Sequence, residues 1–207
     1  MAYRTTPKMA RRKDEHRRKF VDSAIRLFGR QGYHATTVPK IVAKSGSSTG
    51  SFYFYFRNKE DVFAAALESL GERVAAALNE EIAKVWENPL LQMKAAVEAL
   101  MLFLAENPDE ARILIVESSG LTPQLEAVRR KIVSSHARGV QNALSQLSRR
   151  LPDMDAAVVA RCWVGAVYEA VYHWLETPAA ERMPATRLAR AVAEFNLRGI
   201  GAPKEAL

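Results

Sequence analysis

Residue types that commonly carry catalysis or bind metals are few and scattered in this sequence. One pair has ligand spacing: Glu169 and His173 lie four residues apart, which suits either two metal ligands or a hydrogen-bonded pair on one helix face. With no third ligand in sight, the hydrogen-bonded pair is favoured. The chain has no H-E-x-x-H motif, no cysteine pair, no phosphate loop and no nucleophile elbow. We therefore expect no enzymatic activity, no metal and no cofactor. The four histidines are His16, His34, His136 and His173.

Small residues that allow close approach to another molecule are concentrated in the stretch 45–51, Ser-Gly-Ser-Ser-Thr-Gly-Ser. The turn Ser45–Ser48 has Gly46 within it and separates two predicted helices of about two turns each. This is the spacing of a helix-turn-helix. A short helix can enter a major groove about 12 Å wide when a second helix supports it across the backbone. The pattern therefore indicates DNA binding.

The charge distribution points to the same end of the chain. Residues 1–60 hold 14 Lys and Arg against 4 Asp and Glu, a net charge of +10. The other residues carry −3, which leaves +7 for the chain. A basic segment joined to a mildly acidic one is typical of a protein with a polyanionic partner. A solvated basic tail would give the same charge, so charge alone leaves the choice open.

Composition predicts a folded protein without disulfides or membrane spans. The chain has 207 residues, of which 48% are apolar, enough for a sizeable core. Cys162 is the single cysteine, and no run approaches 18 uninterrupted apolar residues. Asp22 and Arg26 interrupt the best candidate for a signal peptide. We expect a cytoplasmic protein.

Hydrophobic periodicity predicts an all-α fold of about nine helices. Gly32, Gly46, Pro89, Pro108, Pro123 and Pro152 mark several of the boundaries. Residues 1–11 lack periodicity and are interpreted as a basic arm that includes Arg4 and Lys8. Two units are predicted: a head, residues 1–58, and a larger body, residues 59–207. The predicted helices span about 12–32, 38–45, 48–56, 59–88, 89–106, 108–118, 122–151, 153–177 and 184–199.

The stretch 20–63 resembles the TetR/AcrR family of bacterial regulators. The matching pieces are A-x-x-L-F-x-x-x-G-Y-x-A-T-T-V at 24–38, Ile41, Gly46, and S-x-G-S-F-Y-x-Y-F-x-N-K-E at 48–60. This ordered set covers about 45 residues. The rest of the chain matches in helix number and length. The resemblance implies a dimeric regulator that reads a palindromic operator in double-stranded DNA.

Candidate DNA contacts follow from these positions. The leading turn of the third helix can reach base edges, Gly50 allows a close approach, and Thr37 and Lys59 begin helices whose N-termini can hold phosphate. Tyr53 and Tyr55 match family positions that contact DNA, although packing against the first helix is the alternative; for Thr37 the alternative is a plain cap. Arg11, Arg12 and Arg17 can meet phosphate or the minor groove, and a solvated face is the alternative for each of them. The predicted contacts are Thr37, Ser48, Thr49, Gly50, Ser51, Tyr53, Tyr55 and Lys59, whereas Phe52 and Phe56 are predicted core.

Helix 153–177 is apolar on more than one face, which favours a helix that serves both a core and a partner. The resemblance implies that this helix and the last one pair with their symmetry mates in a four-helix bundle. The alternative is a helix fully buried in the monomer. The predicted dimer residues are Val158, Cys162, Val167, Val171, Trp174, Leu188, Val192 and Phe195.

A ligand pocket in the body is implied by the resemblance, and Met, aromatic and isolated polar residues are compatible with one. For each residue taken alone, ordinary core is the alternative, and solvent exposure is the alternative for the two polar ones. The predicted pocket residues are Met101, Phe103, Leu104, Glu117, His136, Trp163 and Tyr168.

We therefore expect a repressor that a small hydrophobic effector releases from its operator. In one alternative the body recognises a protein partner and no small molecule. In another the chain is a nonspecific architectural DNA binder.

Overall fold

The computed structural model describes residues 7–85, 88–147 and 154–203, and every element within them is helical. Nine α-helices and one π-helical segment, Arg112–Glu117, follow one another along these ranges, as the predicted all-α class requires. The helices are α1 (Pro7–Ala35), α2 (Val38–Ser45), α3 (Thr49–Tyr55), α4 (Lys59–Lys84), α5 (Pro89–Glu106), α6 (Pro108–Ala111), α7 (Pro123–Leu147), α8 (Ala156–Glu176) and α9 (Ala185–Gly199).

The first helix begins earlier than the periodicity predicted. Helix α1 starts at Pro7, so residues 7–11 are helical and the predicted basic arm is wrong for them. Proline is well suited to a first helical turn, because its missing N–H has no partner there. The remainder of that arm, including Arg4, lies outside the described residues. At the other end, Gly32 adopts φ 79°, a left-handed value, so the predicted stop is a kink near the end of α1.

The other boundaries differ where side chains cap the helices. Helix α4 ends at Lys84, a few residues before the predicted end, and the Asn88 side chain accepts from the N–H of Leu90 to begin α5. Asp155 caps α8, which starts at Ala156. The predicted helix 108–118 is one turn of α-helix followed by the π-helical segment. Helix α7 is described to Leu147, and the predicted continuation to 151 lies outside the described residues.

The head packs around four fully buried phenylalanines. Phe20 of α1 meets Phe52 of α3 edge to face, with ring centroids 5.5 Å apart, and Phe28 meets Phe63 at 4.7 Å. Phe63 belongs to α4, so the long helix that continues into the body also completes the core of the head. Head and body therefore share α4.

The body is a bundle in which α5 packs against α4 and α9, and α7 packs against α8. Leu67 and Leu70 of α4, Leu104, Leu125 and Leu197 are fully buried at its centre. The head meets the body where α1 crosses α6. A Cβ on Gly29 would lie 2.5 Å from the carbonyl oxygen of Asp109, so this crossing requires glycine. Within the described ranges, none of the helices is both long and apolar enough to cross a membrane.

Candidate DNA-binding face and effector cavity

The turn between α2 and α3 is built by one glycine and one serine. Gly46 adopts φ 64°, and its N–H donates to the carbonyl of Ala43, which ends α2. The Ser48 hydroxyl then accepts from the N–H of Ser51 at 3.2 Å and begins α3. Ser48 therefore has a structural role as a cap, and its hydroxyl hydrogen can still donate to a ligand.

Helix α3 buries one face and exposes the other. Phe52 and Phe56 lie in the core of the head, as predicted. On the opposite face Thr49 and Gly50 are exposed, and Tyr53 is 56% exposed. This face of α3 is therefore available for contact with another molecule.

The structure shows how three of the predicted DNA-contact residues are packed or capped, which the sequence alone did not decide. Tyr55 is half-buried with its ring 6.1 Å from that of Phe20, so the packing alternative applies to most of its side chain. Ser51 is half-buried and gives its N–H to the cap. Thr37 stands at the N-cap of α2, but its exposed side chain makes no capping hydrogen bond. The plain-cap alternative therefore does not account for the Thr37 hydroxyl.

The ammonium group of the half-buried Lys59 is bound to the end of α1. Its Nζ donates to the carbonyl of Tyr33 at 2.9 Å and lies 4.1 Å from the centroid of the Tyr33 ring. Partial burial lowers the pKa of Lys59. The contact ties the start of α4 to the end of α1, which the sequence-based role in phosphate binding did not include. Arg11 and Arg12 are exposed on α1, and the Arg17 guanidinium lies 5.3 Å from the centroid of the Phe56 ring.

The body contains a cavity of about 370 Å³ between α4, α5, α7 and α8. Buried apolar side chains form much of its wall, and exposed amide side chains lie along its rim. Among the described residues that line it, none is Asp, Glu, Lys or Arg. The apolar wall includes Leu78, Met93, Val97, Leu100, Trp163, Val164 and Val167, and the rim includes Asn79, Asn142 and Gln146.

One hydrogen-bonded pair supplies polarity to the wall. His136 Nδ1 and the Tyr168 hydroxyl lie 3.1 Å apart, joining α7 to α8. Burial lowers the pKa of His136, which favours the neutral imidazole. Burial also raises the pKa of Tyr168 to about 12, so its hydroxyl stays protonated near neutral pH. In the tautomer where Tyr168 donates to Nδ1, the imidazole Nε2–H remains as a donor for a ligand.

The structure separates the predicted pocket residues into two groups. His136, Trp163 and Tyr168 line the cavity. Met101 and Leu104 are buried in the core and do not line it, because α5 turns their side chains toward other helices. Phe103 is also outside the cavity, with the Arg73 guanidinium 5.9 Å from its ring centroid. The predicted pocket roles of Met101, Phe103, Leu104 and Glu117 are therefore wrong for this cavity.

Glu117 lies at the junction of head and body. Its Oε2 accepts from the backbone N–H of Tyr33 at 2.9 Å, and its Oε1 lies 3.4 Å from Nε of Arg112. Gly32 turns the backbone of α1, so the N–H of Tyr33 points toward the π-helical segment and can donate to the Glu117 carboxylate. Two ion pairs bridge α6 to neighbouring helices, Arg30 to Asp109 at 3.2 Å and Arg73 to Glu110 at 2.6 Å.

The predicted dimer residues divide by exposure. Val158 is 47% exposed, Phe195 is 67% exposed and Cys162 is also exposed, so these three can meet a second protomer. Val167, Val171 and Val192 are buried within the single chain, so these predicted dimer residues pack in the core of the protomer and offer little surface to a partner. The apolar residues of α8 therefore lie on two faces of the helix. One face packs in the body, and the other is open to solvent.

Trp174 and Leu188 serve packing within one chain. The Trp174 indole N–H donates to the carbonyl of Met183 at 2.8 Å, and the Arg182 guanidinium lies 4.9 Å from its ring centroid. Leu188 is half-buried against the core. These contacts hold the connection between α8 and α9, so the two residues offer little free surface for a dimer.

The exposed pair Glu169 and His173 is joined at 3.2 Å, the arrangement that the sequence analysis favoured over two metal ligands. In the part of the chain that the structure describes, no cluster of three His, Cys, Asp or Glu side chains could hold a metal ion.

Sequence reasoning missed Phe54, although a signal was present. Residues 52–56 are all aromatic, and a short helix cannot bury five consecutive side chains, so one or more must face solvent. Phe54 is the most exposed large apolar residue in the described chain, at 68%. The rim amides and the Glu117 contact carried no comparable signal, because they depend on how distant helices cross.

Comparisons with known proteins agree with this geometry. The sequence profile of the family described as bacterial regulatory proteins, tetR family, matches residues 20–66, which run from α1 into α4. The transcriptional regulator YdgC of Bacillus subtilis (strain 168) is 28% identical over 159 residues, covering 74% of this chain and 77% of YdgC.

Two solved structures share the fold over most of its length. The fatty acid degradation regulator FadR of Bacillus halodurans has a TM-score of 0.79 at 19% identity, with 91% of this chain and 97% of that one covered. FadR of Bacillus subtilis, solved in complex with stearoyl-CoA, has a TM-score of 0.78 at 21% identity, with 88% and 98% covered.

Proposed function

Because the chain is a transcriptional regulator of the TetR family, we propose that it is a dimeric repressor released from its operator by a hydrophobic effector. The observation that carries the effector proposal is the cavity of about 370 Å³, lined by apolar side chains and free of charged ones among its described residues. Its volume lies in the range of small-molecule sites. A fully packed body would instead favour the alternative of a protein partner.

The operator-binding surface is proposed to be the exposed face of α3, supported by the cationic head. Two heads on one dimer must enter major grooves about 34–36 Å apart, which calls for a palindromic operator. The proposed contacts are Thr37, Ser48, Thr49, Gly50 and Tyr53, with smaller shares for Ser51 and Tyr55 because both are half-buried. We assign DNA binding to residues 1–58 and sensing and dimerisation to 59–207, and expect the protein to act in the cytoplasm.

The effector is proposed to combine a long apolar chain with an uncharged hydrogen-bonding group. The apolar wall suits an alkyl or acyl chain, and the His136–Tyr168 pair offers hydrogen bonds to an ester, thioester, amide or alcohol. A carboxylate at the same depth would be desolvated without a cationic partner, which is costly. FadR of Bacillus subtilis, which binds stearoyl-CoA in its structure, supports an acyl chain as the apolar part.

Release of the operator is proposed to pass through α4, which lines the cavity with Ala75, Leu78 and Ile82 and carries Phe63 into the head. A ligand shifts the balance between two head separations only through its different affinity for the two states. An effector that wedges α4 away from α7 would change the distance between the two heads of the dimer and lower operator affinity.

The test begins by selecting an operator from random-sequence duplex DNA with the purified protein. Fluorescence anisotropy of the labelled operator is then followed during titration with three ligands of equal chain length: the uncharged N-acetylcysteamine thioester of dodecanoic acid, dodecanol and dodecanoate. We expect the thioester or the alcohol to release the DNA at lower concentration than the carboxylate. Failure of all three to alter DNA binding would count against the effector, while failure to enrich any operator would count against a sequence-specific regulator.

A further inference from the structure

Phe54 is an exposed aromatic side chain in the middle of the α3 face proposed to meet DNA. Its exposure is 68%, whereas its aromatic neighbours Phe52 and Phe56 are buried in the core of the head. Single apolar residues on a surface are common, but Phe54 adjoins Tyr53, which is 56% exposed, and a contiguous exposed apolar patch marks a contact surface. Packing of the head does not require this ring.

The Phe54 ring packs edge to face against Tyr55, with ring centroids 5.0 Å apart, and most of its surface remains open to solvent. Gly50 precedes it by four residues and therefore lies beside it on the same face of α3. A Cβ added at Gly50 would meet nothing within 4 Å, so the surface of α3 at Gly50 is open. The ammonium group of the exposed Lys13 lies over one face of the ring, 5.1 Å from its centroid, and adds a positive charge to this surface.

The chemistry of the major groove supplies an apolar partner. Thymine presents its 5-methyl group there, whereas the other three bases present only hydrogen-bond donors and acceptors. We propose that Phe54 contacts the 5-methyl group of one thymine in each operator half-site and so determines part of the operator sequence. This inference rests on the proposed function, because it requires that the α3 face enters the major groove.

The positive charge around the Phe54 ring favours DNA over a protein as the partner of this face of α3. Residues 1–60 carry a net charge of +10, and the ammonium group of Lys13 beside the ring contributes to it. A positive surface attracts phosphate and orients the helix toward the groove. A second copy of the chain would bring an equally basic surface against this one, which is unfavourable.

The experiment replaces thymine by deoxyuridine, which removes only the methyl group. Each thymine of the selected operator is replaced in turn, in both half-sites, and dissociation constants are measured for the wild type and for Phe54→Ala. In the wild type we expect one position at which the replacement weakens binding about fourfold per half-site, or about fifteenfold for the symmetrical operator, the loss expected for one buried methyl group. In Phe54→Ala the same replacement is expected to change affinity by less than about twofold.

Two controls keep the outcome unambiguous. Phe54→Leu retains an apolar side chain and should keep part of the methyl dependence. Tyr53→Phe keeps a ring at the neighbouring position. It should leave unchanged the loss of affinity that follows removal of the methyl group contacted by Phe54. The proposal is overturned if no thymine methyl affects wild-type affinity, if the selected half-site holds no thymine, or if Phe54→Ala keeps the full methyl dependence. Loss of operator selection by the wild type would instead overturn the proposed function.

Discussion

The Oε2 atom of Glu117 accepts a hydrogen bond from the backbone N–H of Tyr33 at 2.9 Å, joining the π-helical segment of the body to the last turn of α1. The carbonyl of the same Tyr33 accepts from Nζ of Lys59 at 2.9 Å. One peptide region of the head is therefore held by the body on one side and by the start of α4 on the other. A Cβ on Gly32 would lie 3.1 Å from Oε2 of Glu117, so the glycine also makes room for this contact.

Removal of the Glu117 carboxylate is expected to weaken the connection between head and body. Glu117→Ala leaves the N–H of Tyr33 without its partner, at a cost of about 1–3 kcal/mol, which lowers Tm by roughly 2–12 °C for a chain of this size. Operator release by the effector should also need more ligand, because the head is less constrained by the body. Calorimetry and anisotropy titrations measure the two effects.

Glu106 provides a matched control on a neighbouring helix, since its side chain is exposed. Glu106→Ala should change neither Tm nor the response to effector, and Glu117→Gln, which keeps an oxygen acceptor, should recover part of both. If Glu117→Ala responds to effector as the wild type does, the contact with Tyr33 has no part in coupling.

Filling the cavity should separate ligand binding from DNA binding. Gly139 lies on α7 at the cavity, and a Cβ there would meet nothing within 4 Å. Gly139→Leu is expected to stabilise α7 by about 1 kcal/mol through helix propensity and to place an isobutyl group where the effector binds. Effector affinity should fall at least about tenfold while operator affinity of the ligand-free protein is kept. Ser145→Leu, at an exposed position of the same helix, should leave effector affinity unchanged, and equal losses in both variants would contradict the assigned cavity.

Stability should depend on pH through His136. Burial lowers the pKa of His136 in the folded protein below its ordinary value of 6.5, so the unfolded chain binds the proton more readily. The contribution of His136 to the free energy of unfolding is therefore greatest above pH 6.5. It falls as the pH drops from 6.5 to the lowered pKa. His136→Gln should flatten this part of the profile in denaturant titrations.

Tyr168→Phe distinguishes burial from hydrogen bonding as the cause. The variant removes the hydroxyl 3.1 Å from Nδ1 but keeps the ring that shields the imidazole. Because desolvation lowers the pKa of His136, the pH dependence should survive in Tyr168→Phe. Its loss there would indicate that the hydrogen bond, and not burial, holds the imidazole neutral.

The fold and the helix-turn-helix could be predicted because both are encoded locally. Apolar periodicity and the residues Gly46, Ser48 and Asn58 mark helices that the structure reproduces within a few residues. The cavity could be predicted only in part, since which face of α5 meets it depends on the crossing of four helices. Met101 and Leu104 share a helix with the lining residues Met93 and Val97 but turn to another side.

Dimerisation should depend on the exposed residues of α8 and α9. Phe195→Asp costs the single protomer little because the ring is 67% exposed, but it removes one apolar contact from each side of a symmetrical interface. The dimer dissociation constant should rise at least about a hundredfold by analytical ultracentrifugation. Val171→Asp, at a buried position, should unfold the protomer instead.

Cysteine labelling gives an independent measurement of the same surface. Cys162 is exposed in the single chain, so a maleimide should react with it readily in a Phe195→Asp monomer. In the wild type the rate should fall as protein concentration rises through the dimer dissociation constant. A labelling rate that does not depend on protein concentration would indicate that Cys162 lies outside the dimer interface.

The salt dependence of DNA binding should distinguish a phosphate contact from a structural lysine. Each phosphate contact contributes about 0.9 to the slope of log affinity against log salt concentration. Arg12 is exposed on α1, so Arg12→Ala should make the slope shallower by about one for each protomer bound. The ammonium of Lys59 already donates to the carbonyl of Tyr33, so Lys59→Ala should weaken operator and random DNA alike while leaving the slope near its wild-type value.

The reason for the difference lies in what each substitution removes. Loss of Lys59 releases the start of α4 from the end of α1 and disturbs the position of the head, a change that lowers affinity at every salt concentration by a similar factor. Thr49→Ala, on the exposed face of α3, should mainly alter which operator is preferred. Band-shift titrations at four or more salt concentrations give all three slopes. If Lys59→Ala reduces the slope as much as Arg12→Ala does, the ammonium binds phosphate in the complex and its contact with Tyr33 is exchanged on binding.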